Sequence, residues 1–165
     1  YVREGIKKAG EIGWKPMQFL NNVSISVSAV MKPAGLDNSQ GIITAQYGKD
    51  PTDKQWASDK GFQDWVEWMK KYNPQGNLAD ANNVYGYSVC MTMVQVLKQC
   101  GDDLTRANVM KQAANLKGLV LPMALPGIKI NTSPTDFYPI HSVQLSRFKG
   151  ETWELFGDVL SAAGT

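Results

Sequence analysis

Histidine and cysteine are scarce in this sequence, which has one histidine, His141, and two cysteines, Cys90 and Cys100. A zinc site needs several such side chains at short spacings, so no zinc site is predicted. If residues 84–100 form one helix, the two cysteines lie roughly 15 Å apart along its axis. A disulfide needs Cα atoms within about 7 Å of each other. The two therefore cannot pair, and we expect both to be small buried apolar side chains.

Catalytic and nucleotide-binding motifs are missing as well. The sequence has no Gly-x-Ser-x-Gly elbow, no phosphate-binding loop, no Gly-x-Gly-x-x-Gly and no His-Glu-x-x-His. Asp50 and Asp53 flank a proline and are expected to serve in a turn. A cysteine with His141 remains formally available as a nucleophile and its base, so an enzyme of doubly wound fold stays open as an alternative. We predict a protein that is not an enzyme and that has neither a metal nor a cofactor.

Charge of one sign is not concentrated anywhere in the sequence. Its 17 basic and 15 acidic side chains leave a net charge of +2, and the basic ones are spread thinly. This pattern favours ordinary solvated faces and offers no basic patch to a nucleic acid partner. No apolar run approaches the roughly 20 residues that a helix needs to cross a bilayer. With 43% apolar residues, the composition is typical of a globular chain with a core.

The amino-terminal part of the sequence alternates between helical and strand patterns. Apolar residues recur at helical spacing from Val2 to Ile12. Residues 17–20 are predicted to form a buried strand and the β-branched run 41–47 a second strand, with a short helix between them. Helix, strand, helix and strand in this order indicate a doubly wound parallel sheet. Since the residues from Tyr1 resemble the inside of a helix, we expect the sequence to begin within a longer protein.

The remainder is predicted to be helical and then to return to strands. Apolar spacing predicts a helix around 62–72 and a second over 84–100, which is apolar on most sides and so expected in the interior. Thr105 is placed to cap a third helix. Four prolines lie between residues 119 and 141, and residues 143–156 then predict a hairpin with a tight turn.

Three loop positions combine hydrogen-bonding and aromatic groups as ligand sites do. The first follows a predicted strand, and ligands of open α/β sheets bind beyond the carboxyl ends of strands. The second ends the next strand, and the third opens the helix over 84–100, where free backbone N–H groups and the helix dipole favour anions. Each position alone is also explained by a turn or a packed tyrosine, whereas the joint placement predicts one ligand site. The predicted site residues are Asn21, Asn22, Val23, Ser24, Tyr47, Asn83 and Tyr85.

Five stretches in a fixed order make the sequence resemble a known family. They are AGEIGWKP at 9–16, KDPTD at 49–53, NVYGY at 83–87, CGDDLTR at 100–106 and LSRFKGETW at 145–153. Together they resemble the type I periplasmic solute-binding proteins of ABC transporters, the branched-chain amino-acid receptor group. The similarity runs essentially from residue 1 to residue 157.

This resemblance implies the periplasmic-binding-protein-like I fold, in which two doubly wound α/β lobes close on a small molecule without changing it. The sequence would supply the carboxyl-terminal portion, and the missing amino-terminal portion of the same protein would complete the lobes. Residues 1–48 would belong to the second lobe, 49–54 to the hinge crossing, 55–140 to the first lobe and 141–165 to the return to the second lobe. Half-built lobes are expected to expose apolar surface.

The resemblance also implies a function. The protein would be a periplasmic receptor that delivers a small-molecule ligand to ABC permease subunits, and the three loop positions would hold that ligand. Amino-acid receptors of this group place an acidic residue in the first loop, whereas Asn21, Asn22, Val23 and Ser24 include none. An aromatic or aliphatic carboxylate is therefore expected as the ligand rather than a branched-chain amino acid. A ligand-sensing regulator or receptor ectodomain of the same fold remains an alternative.

Overall fold

A computed structural model describes residues 1–162 of the protein. Residues 163–165, which end the predicted return to the second lobe, lie outside that range. The described helices are α1 (Val2–Glu11), α2 (Lys32–Ala34), α3 (Leu36–Ser39), α4 (Lys60–Tyr72), α5 (Ala81–Cys100) and α6 (Arg106–Ala113). The strands are β1 (Phe19–Leu20), β2 (Ile43–Gln46), β3 (Ser142–Lys149) and β4 (Thr152–Ser161). No helix within residues 1–162 has the length and apolar character needed to cross a membrane.

The four strands form one mixed sheet in the order β1-β2-β3-β4. β1 and β2 run parallel, with Phe19 beside Ile43, and the helical segments between them form the crossover that a parallel pair requires. β2 pairs antiparallel with β3, and β3 with β4. The turn between β3 and β4 holds Gly150 at φ 63°, a left-handed conformation that glycine adopts without strain. The predicted parallel pair and the predicted hairpin are both confirmed.

One hydrophobic core lies between the sheet and the helical segments that precede β2. The rings of Phe148 and Trp153 lie edge to face with centroids 5.3 Å apart, and buried side chains from α1 and from residues 25–34 pack against them. The indole Nε1 of Trp153 donates to the carbonyl oxygen of Ile25 at 2.9 Å. This bond ties the segment after β1 to the hairpin, and so fixes where the residues beyond β1 lie.

Two further apolar clusters lie among α4, α5, α6 and the proline-rich segment after α6. The first packs α4 against the start of α5 around the buried Trp65. The second packs the end of α5 against residues 116–130. The cap predicted at Thr105 is confirmed, since its Oγ1 accepts the N–H of Asn108 at 3.4 Å. Neither cluster shares a residue with the core on the sheet, so the described chain is stabilised by separate cores.

The prediction that residues 17–20 form a buried strand is wrong about burial. β1 covers only Phe19–Leu20, and Phe19 is 65% exposed and Met17 77% exposed. The reason is the position of β1 at an edge of the sheet. Side chains at an edge are buried only when another element covers them, and within residues 1–162 none covers these two.

The prediction that the helix over 84–100 is interior is wrong for a related reason. Tyr85, Val89, Met93 and Leu97 recur every four residues along α5, and each is between 39% and 59% exposed. We call these four residues the α5 stripe. Apolar residues around a helix indicate that it is to be covered, but not which part of a protein covers it. The expected exposure of apolar surface is therefore confirmed.

The two cysteines are both free, and they lie in different surroundings. Cys100 is buried where α5 meets residues 116–130, as predicted. Cys90 is exposed, so the expectation that both are buried is wrong. A helix turns once in 3.6 residues, so the two cysteines lie roughly a quarter turn apart around α5. They therefore face different surroundings, and only Cys100 is buried.

Candidate ligand site

Residues from four separate parts of the chain enclose a cavity of about 700 Å³. The turn after β1, the end of β2 with the residues that follow it, α5 between Ala81 and Val96, and residues 113–140 contribute to its wall. This volume lies within the range of about 300–1,000 Å³ that small-molecule sites occupy. On the side of the sheet, its polar lining side chains are Asn22, Ser26, Gln46, Tyr47, Lys49 and Asp50.

The turn after β1 presents two of its four predicted residues to the cavity. The Asn21 side-chain oxygen Oδ1 accepts the backbone N–H of Val23 at 3.2 Å, which folds the turn. Asn22 and Val23 then line the cavity, whereas Asn21 and Ser24 do not. Asn21 has the turn-forming role that asparagine commonly has after a strand.

Tyr47 lies directly beyond the end of β2 and lines the same cavity. Its carbonyl oxygen accepts the N–H of Leu125 at 2.9 Å, which joins the end of β2 to the proline-rich segment. Burial raises the pKa of the Tyr47 hydroxyl, the neighbouring Tyr85 adds to this, and the Asn22 side chain acts in the opposite direction. The hydroxyl is therefore neutral at ordinary pH and able both to donate and to accept a hydrogen bond.

The start of α5 places Tyr85 in the cavity but not Asn83. Asn83 donates from Nδ2 to the carbonyl oxygen of Asn77 at 2.8 Å, and this bond holds the loop that precedes the helix. The Oδ1 of Asp80 accepts the N–H of Asn82 at 3.0 Å. A carboxylate thus already satisfies part of the helix start, so fewer free N–H groups are left there for an anion than the sequence predicts.

The structure brings the three predicted positions together at one cavity, to which the first contributes Asn22 and Val23, the second Tyr47 and the third Tyr85. Asn22, Tyr47 and Tyr85 share the cavity wall, and the side chains of Asn22 and Tyr85 both influence the Tyr47 hydroxyl. Whether these residues hold a ligand stays a prediction. Their meeting depends on the parallel pairing of β1 with β2 and on the packing of α5 beside them.

Lys49 is a cavity residue that sequence reasoning missed. Its side chain is 6% exposed, and its Nζ lies 2.6 Å from Oδ1 of Asp59 and 2.8 Å from the carbonyl oxygen of Pro122. Lys49 also lies over the Trp56 ring, at 5.4 Å from the centroid. The cation is therefore already balanced by protein groups, and it lowers the pKa of Asp59 through their hydrogen bond.

Asp50 is a second cavity residue that the sequence pattern did not reveal as such. It serves in a turn, as predicted, because its Oδ1 accepts both the backbone N–H of Thr52, at 2.7 Å, and the Thr52 hydroxyl. Burial raises the pKa of the Asp50 carboxyl, and the hydrogen bonds from Thr52 oppose that rise in part. A proline flanked by acidic residues predicts a turn and does not show which way its side chains point.

Lys49 and Asp50 are the charged residues among the described residues that line the cavity. One is paired with Asp59 and the other accepts hydrogen bonds from Thr52. The rest of the described lining is neutral: hydroxyl and amide groups together with apolar side chains such as Val84 and Met93. The arrangement can bind a small molecule with an apolar body through neutral hydrogen bonds.

The pairing of a cysteine with a histidine is not found in this cavity. Among the described residues, neither Cys90, Cys100 nor His141 lines it. His141 has its Nε2 3.2 Å from Oδ2 of Asp136 instead. The specific nucleophile and base that kept the enzyme alternative open do not meet here.

Comparison with known proteins gives a family match over most of the chain. A family model described as periplasmic binding protein matches residues 2–152. Comparison with curated proteins finds no match.

Three of the solved structures with a similar fold are the following. A branched-chain amino acid ABC transporter protein from Thermus thermophilus, crystallised with bound valine, superposes with a TM-score of 0.80 at 16% identity, covering 98% of this chain and 44% of that one. An extracellular ligand-binding receptor from Rhodopseudomonas palustris gives 0.61 at 18% identity, covering 94% of this chain and 44% of that one. One from Verminephrobacter eiseniae gives 0.63 at 18% identity, covering 94% of this chain and 41% of that one.

The chain thus spans less than half the length of each of these solved proteins. The parallel pair, the hairpin and the helical layers match the periplasmic-binding-protein-like I fold. The matching family model is described as periplasmic binding protein, and the second of these solved proteins is named an extracellular ligand-binding receptor. With a family match over residues 2–152, the chain belongs to the periplasmic binding protein family.

Proposed function

We propose that this chain is part of a solute-binding receptor, which captures a small organic ligand between two lobes in the periplasm and delivers it unchanged to an ABC permease. The observation that carries the proposal is the meeting of Asn22, Tyr47 and Tyr85 at one cavity of about 700 Å³. Three sequence-distant segments supply these side chains, as expected for a site between folded units. The family match over residues 2–152 supports the same function.

The ligand is an aromatic or aliphatic carboxylate rather than a branched-chain amino acid. The turn after β1 has no acidic residue that would hold an ammonium group. Asp50 is the carboxyl group that lines the cavity, and its raised pKa and its bonds from Thr52 make it a poor partner for a cation. The neutral donors Asn22, Tyr47 and Tyr85 suit a carboxylate oxygen, and the apolar lining suits a ring or an alkyl chain.

The division into two lobes is part of the proposal. Residues 1–48 and 141–165 belong to the second lobe, and residues 55–140 belong to the first. This division is supported by the cores, since the one on the sheet is built from residues 6–42 with Phe148 and Trp153, whereas the other two lie within residues 65–130. The crossing 49–54 contains Lys49, which anchors it to Asp59, and Asp50, which accepts a hydrogen bond from Thr52 within the crossing. An amino-terminal portion of the same protein would cover β1 and Leu97, the residue of the α5 stripe that does not line the cavity, in keeping with coverage of 44% of a solved relative.

Calorimetry on the full-length protein tests the proposal. The titrants are benzoate, phenylacetate and octanoate as carboxylates, and leucine and valine as amino acids. We expect saturable binding of at least one carboxylate and weak or no binding of the amino acids. Each of Tyr47→Phe and Tyr85→Phe removes one hydroxyl and weakens that binding by about threefold to tenfold.

Tyr72→Phe is the matched control. Tyr72 lies at the end of α4, is 61% exposed and does not line the cavity, so its hydroxyl can be removed without loss of affinity. Tight binding of leucine or valine with no response to the carboxylates would overturn the ligand class. Binding that neither cavity tyrosine affects would overturn the site.

A further inference from the structure

Ser28 forms a hydrogen bond between two segments that lie far apart in the sequence. Its Oγ donates to the carbonyl oxygen of Ala79 at 3.3 Å, in half-buried surroundings. Ser28 belongs to the short helical segment Val27–Met31 that follows the turn after β1, and Ala79 belongs to the loop that precedes α5. The bond therefore joins residues 1–48 to residues 55–140, which the proposed division assigns to different lobes.

The position of this bond differs from that of the other hydrogen bond between these two units. The carbonyl oxygen of Tyr47 accepts the N–H of Leu125 at 2.9 Å, beside the crossing 49–54. Among the described residues, Ser28 with Ala79 is the one hydrogen bond between the units that is distant from the crossing along the chain. A bond beside a crossing persists when two units turn about it, whereas a distant bond requires that the units lie together.

Local hydrogen bonds hold both ends of the bond in place. On the side of α5, the Asn77 side-chain oxygen accepts the N–H of Ala79 at 2.9 Å, and Asn83 holds the carbonyl oxygen of Asn77 from the helix. On the other side, Ser26 caps the helical segment that carries Ser28. Both groups are thus presented by preformed turns, so little additional order is required when they meet.

The bond also lies beside the proposed ligand cavity. Ser26 and Ala81 line that cavity, and each is close in the sequence to one end of the bond. The Oγ of Ser26 lies 3.4 Å from the Oγ of Ser28. Because the hydroxyl hydrogen of Ser28 is directed at Ala79, Ser26 is the donor of this second bond. A hydroxyl of the cavity wall is therefore hydrogen-bonded to the group that joins the two units.

We propose that Ser28 is a positioning residue that retains the ligand, because its bond to Ala79 forms when the two lobes close and must break before the ligand leaves. This inference rests on the proposed function and on its division into two lobes, and it does not depend on the ligand class. A ligand enters while the bond is absent, so the bond does not affect the association rate. Release requires the bond to break, and its loss is expected to speed dissociation by about twofold to tenfold.

Stopped-flow measurements of binding to the full-length protein test this role, with benzoate, phenylacetate, octanoate, leucine and valine as the probes. For each probe that binds wild type, Ser28→Ala is expected to raise the dissociation rate about twofold to tenfold and to leave the association rate unchanged. Ser28→Thr keeps the hydroxyl and is expected to restore slow dissociation. Without a probe, Ser28→Ala is expected to unfold at the same denaturant concentration as wild type, because the open form lacks the bond.

Ser58→Ala is the matched control, since Ser58 is exposed and does not line the cavity, and both of its rates are expected to equal those of wild type. An unchanged dissociation rate in Ser28→Ala would overturn this inference and leave the proposed function standing. The inference also fails if Ser28→Thr releases the probe as fast as Ser28→Ala, or if Ser28→Ala unfolds at a clearly lower denaturant concentration without a probe. Wild-type protein that binds none of the five probes would overturn the proposed function first, and this inference with it.

Discussion

The Nζ of Lys49 lies 2.6 Å from Oδ1 of Asp59, and the lysine side chain is almost fully buried. Asp59 is also the cap of α4, since the same Oδ1 accepts the N–H of Phe62 at 2.9 Å. Through its second bond, to the carbonyl oxygen of Pro122, Lys49 joins the crossing after β2 to α4 and to the proline-rich segment. One side chain thus connects three segments that are far apart in the sequence.

Replacing Lys49 with methionine removes both hydrogen bonds and leaves the Asp59 carboxylate without its cation. Hydrogen bonds to charged groups contribute about 1.5–3 kcal/mol each, and partial exposure of Asp59 reduces the effect, so we expect a loss of about 1.5–3 kcal/mol in the free energy of unfolding. Urea unfolding measures it. Lys60→Met is the comparison, because Lys60 pairs with Asp64 on an exposed face and its loss is expected to leave stability nearly unchanged. Equal effects of the two substitutions would contradict the role given to Lys49.

Asp50→Asn tests the buried carboxyl group through pH. Burial raises the pKa of Asp50 in the folded protein, so folding favours the protonated form. That contribution is fully present below the unfolded pKa of about 4 and is lost as the pH rises through the folded pKa. Asparagine keeps an acceptor for Thr52 and is uncharged throughout, so the variant is expected to be more stable than wild type near neutral pH.

The measurement is the difference in unfolding free energy between Asp50→Asn and wild type at several pH values, without ligand. We expect the advantage of the variant to shrink as the pH falls towards about 4. The other carboxyl groups, including Asp59 with its lowered pKa, are common to both proteins and cancel in the difference. A difference that does not change with pH would show that Asp50 is not penalised by its burial.

Gly61 is placed where no side chain fits. A Cβ at this position, in the first turn of α4, would lie 2.3 Å from the carbonyl oxygen of Pro122. Gly61→Ala is therefore expected to push the proline-rich segment away and to lower stability by about 1–3 kcal/mol. Gly5→Ala in α1 is the control, since a Cβ there meets nothing within 4 Å, and it is expected to raise stability by about 0.5–1 kcal/mol. Thermal unfolding of both variants measures the contrast, and a stable Gly61→Ala protein would disprove the close approach.

Leu97→Glu tests whether the α5 stripe is covered in the full-length protein. Leu97 is 39% exposed, and a charge there is tolerated if the stripe faces water. If an amino-terminal portion covers it, the charge is buried without a partner, and we expect a loss of about 2 kcal/mol or more in unfolding free energy. Lys98→Gln, at the neighbouring exposed position, is expected to stay within about 0.5 kcal/mol of wild type. A full-length Leu97→Glu protein as stable as wild type would show that the stripe is left open.

Local patterns in the sequence predicted most of the elements. Helical spacing, the cap at Thr105 and the turn at Gly150 depend on residues close in the chain, and the structure has the corresponding helices and hairpin. The same local reasoning predicted three site positions, because residues after strands and at helix starts are presented at the same edge of an α/β sheet.

The residues that local patterns did not reveal are those whose role depends on distant partners. Ser28 belongs to the short helix predicted between the two strands, and only the packing of that segment beside the loop before α5 shows its hydroxyl to bond with Ala79. The sequence places Lys49 and Asp50 in a polar crossing, yet contacts with Asp59 and Pro122 bury the lysine at the cavity wall. Asn83 matched a ligand-binding pattern and instead holds the loop before α5.

Spacing and residue type by themselves determined that this protein is an α/β chain with a neutral, aromatic and amide-rich set of loop residues, because such features arise within a few residues of each other. The tertiary structure alone decided which of those residues share a cavity, which apolar faces stay exposed and which charges are neutralised. These depend on contacts between segments separated by many residues, such as Lys49 with Pro122 and Trp153 with Ile25. A local pattern carries no information about such partners, since the same residue types are equally compatible with a buried pair or with water.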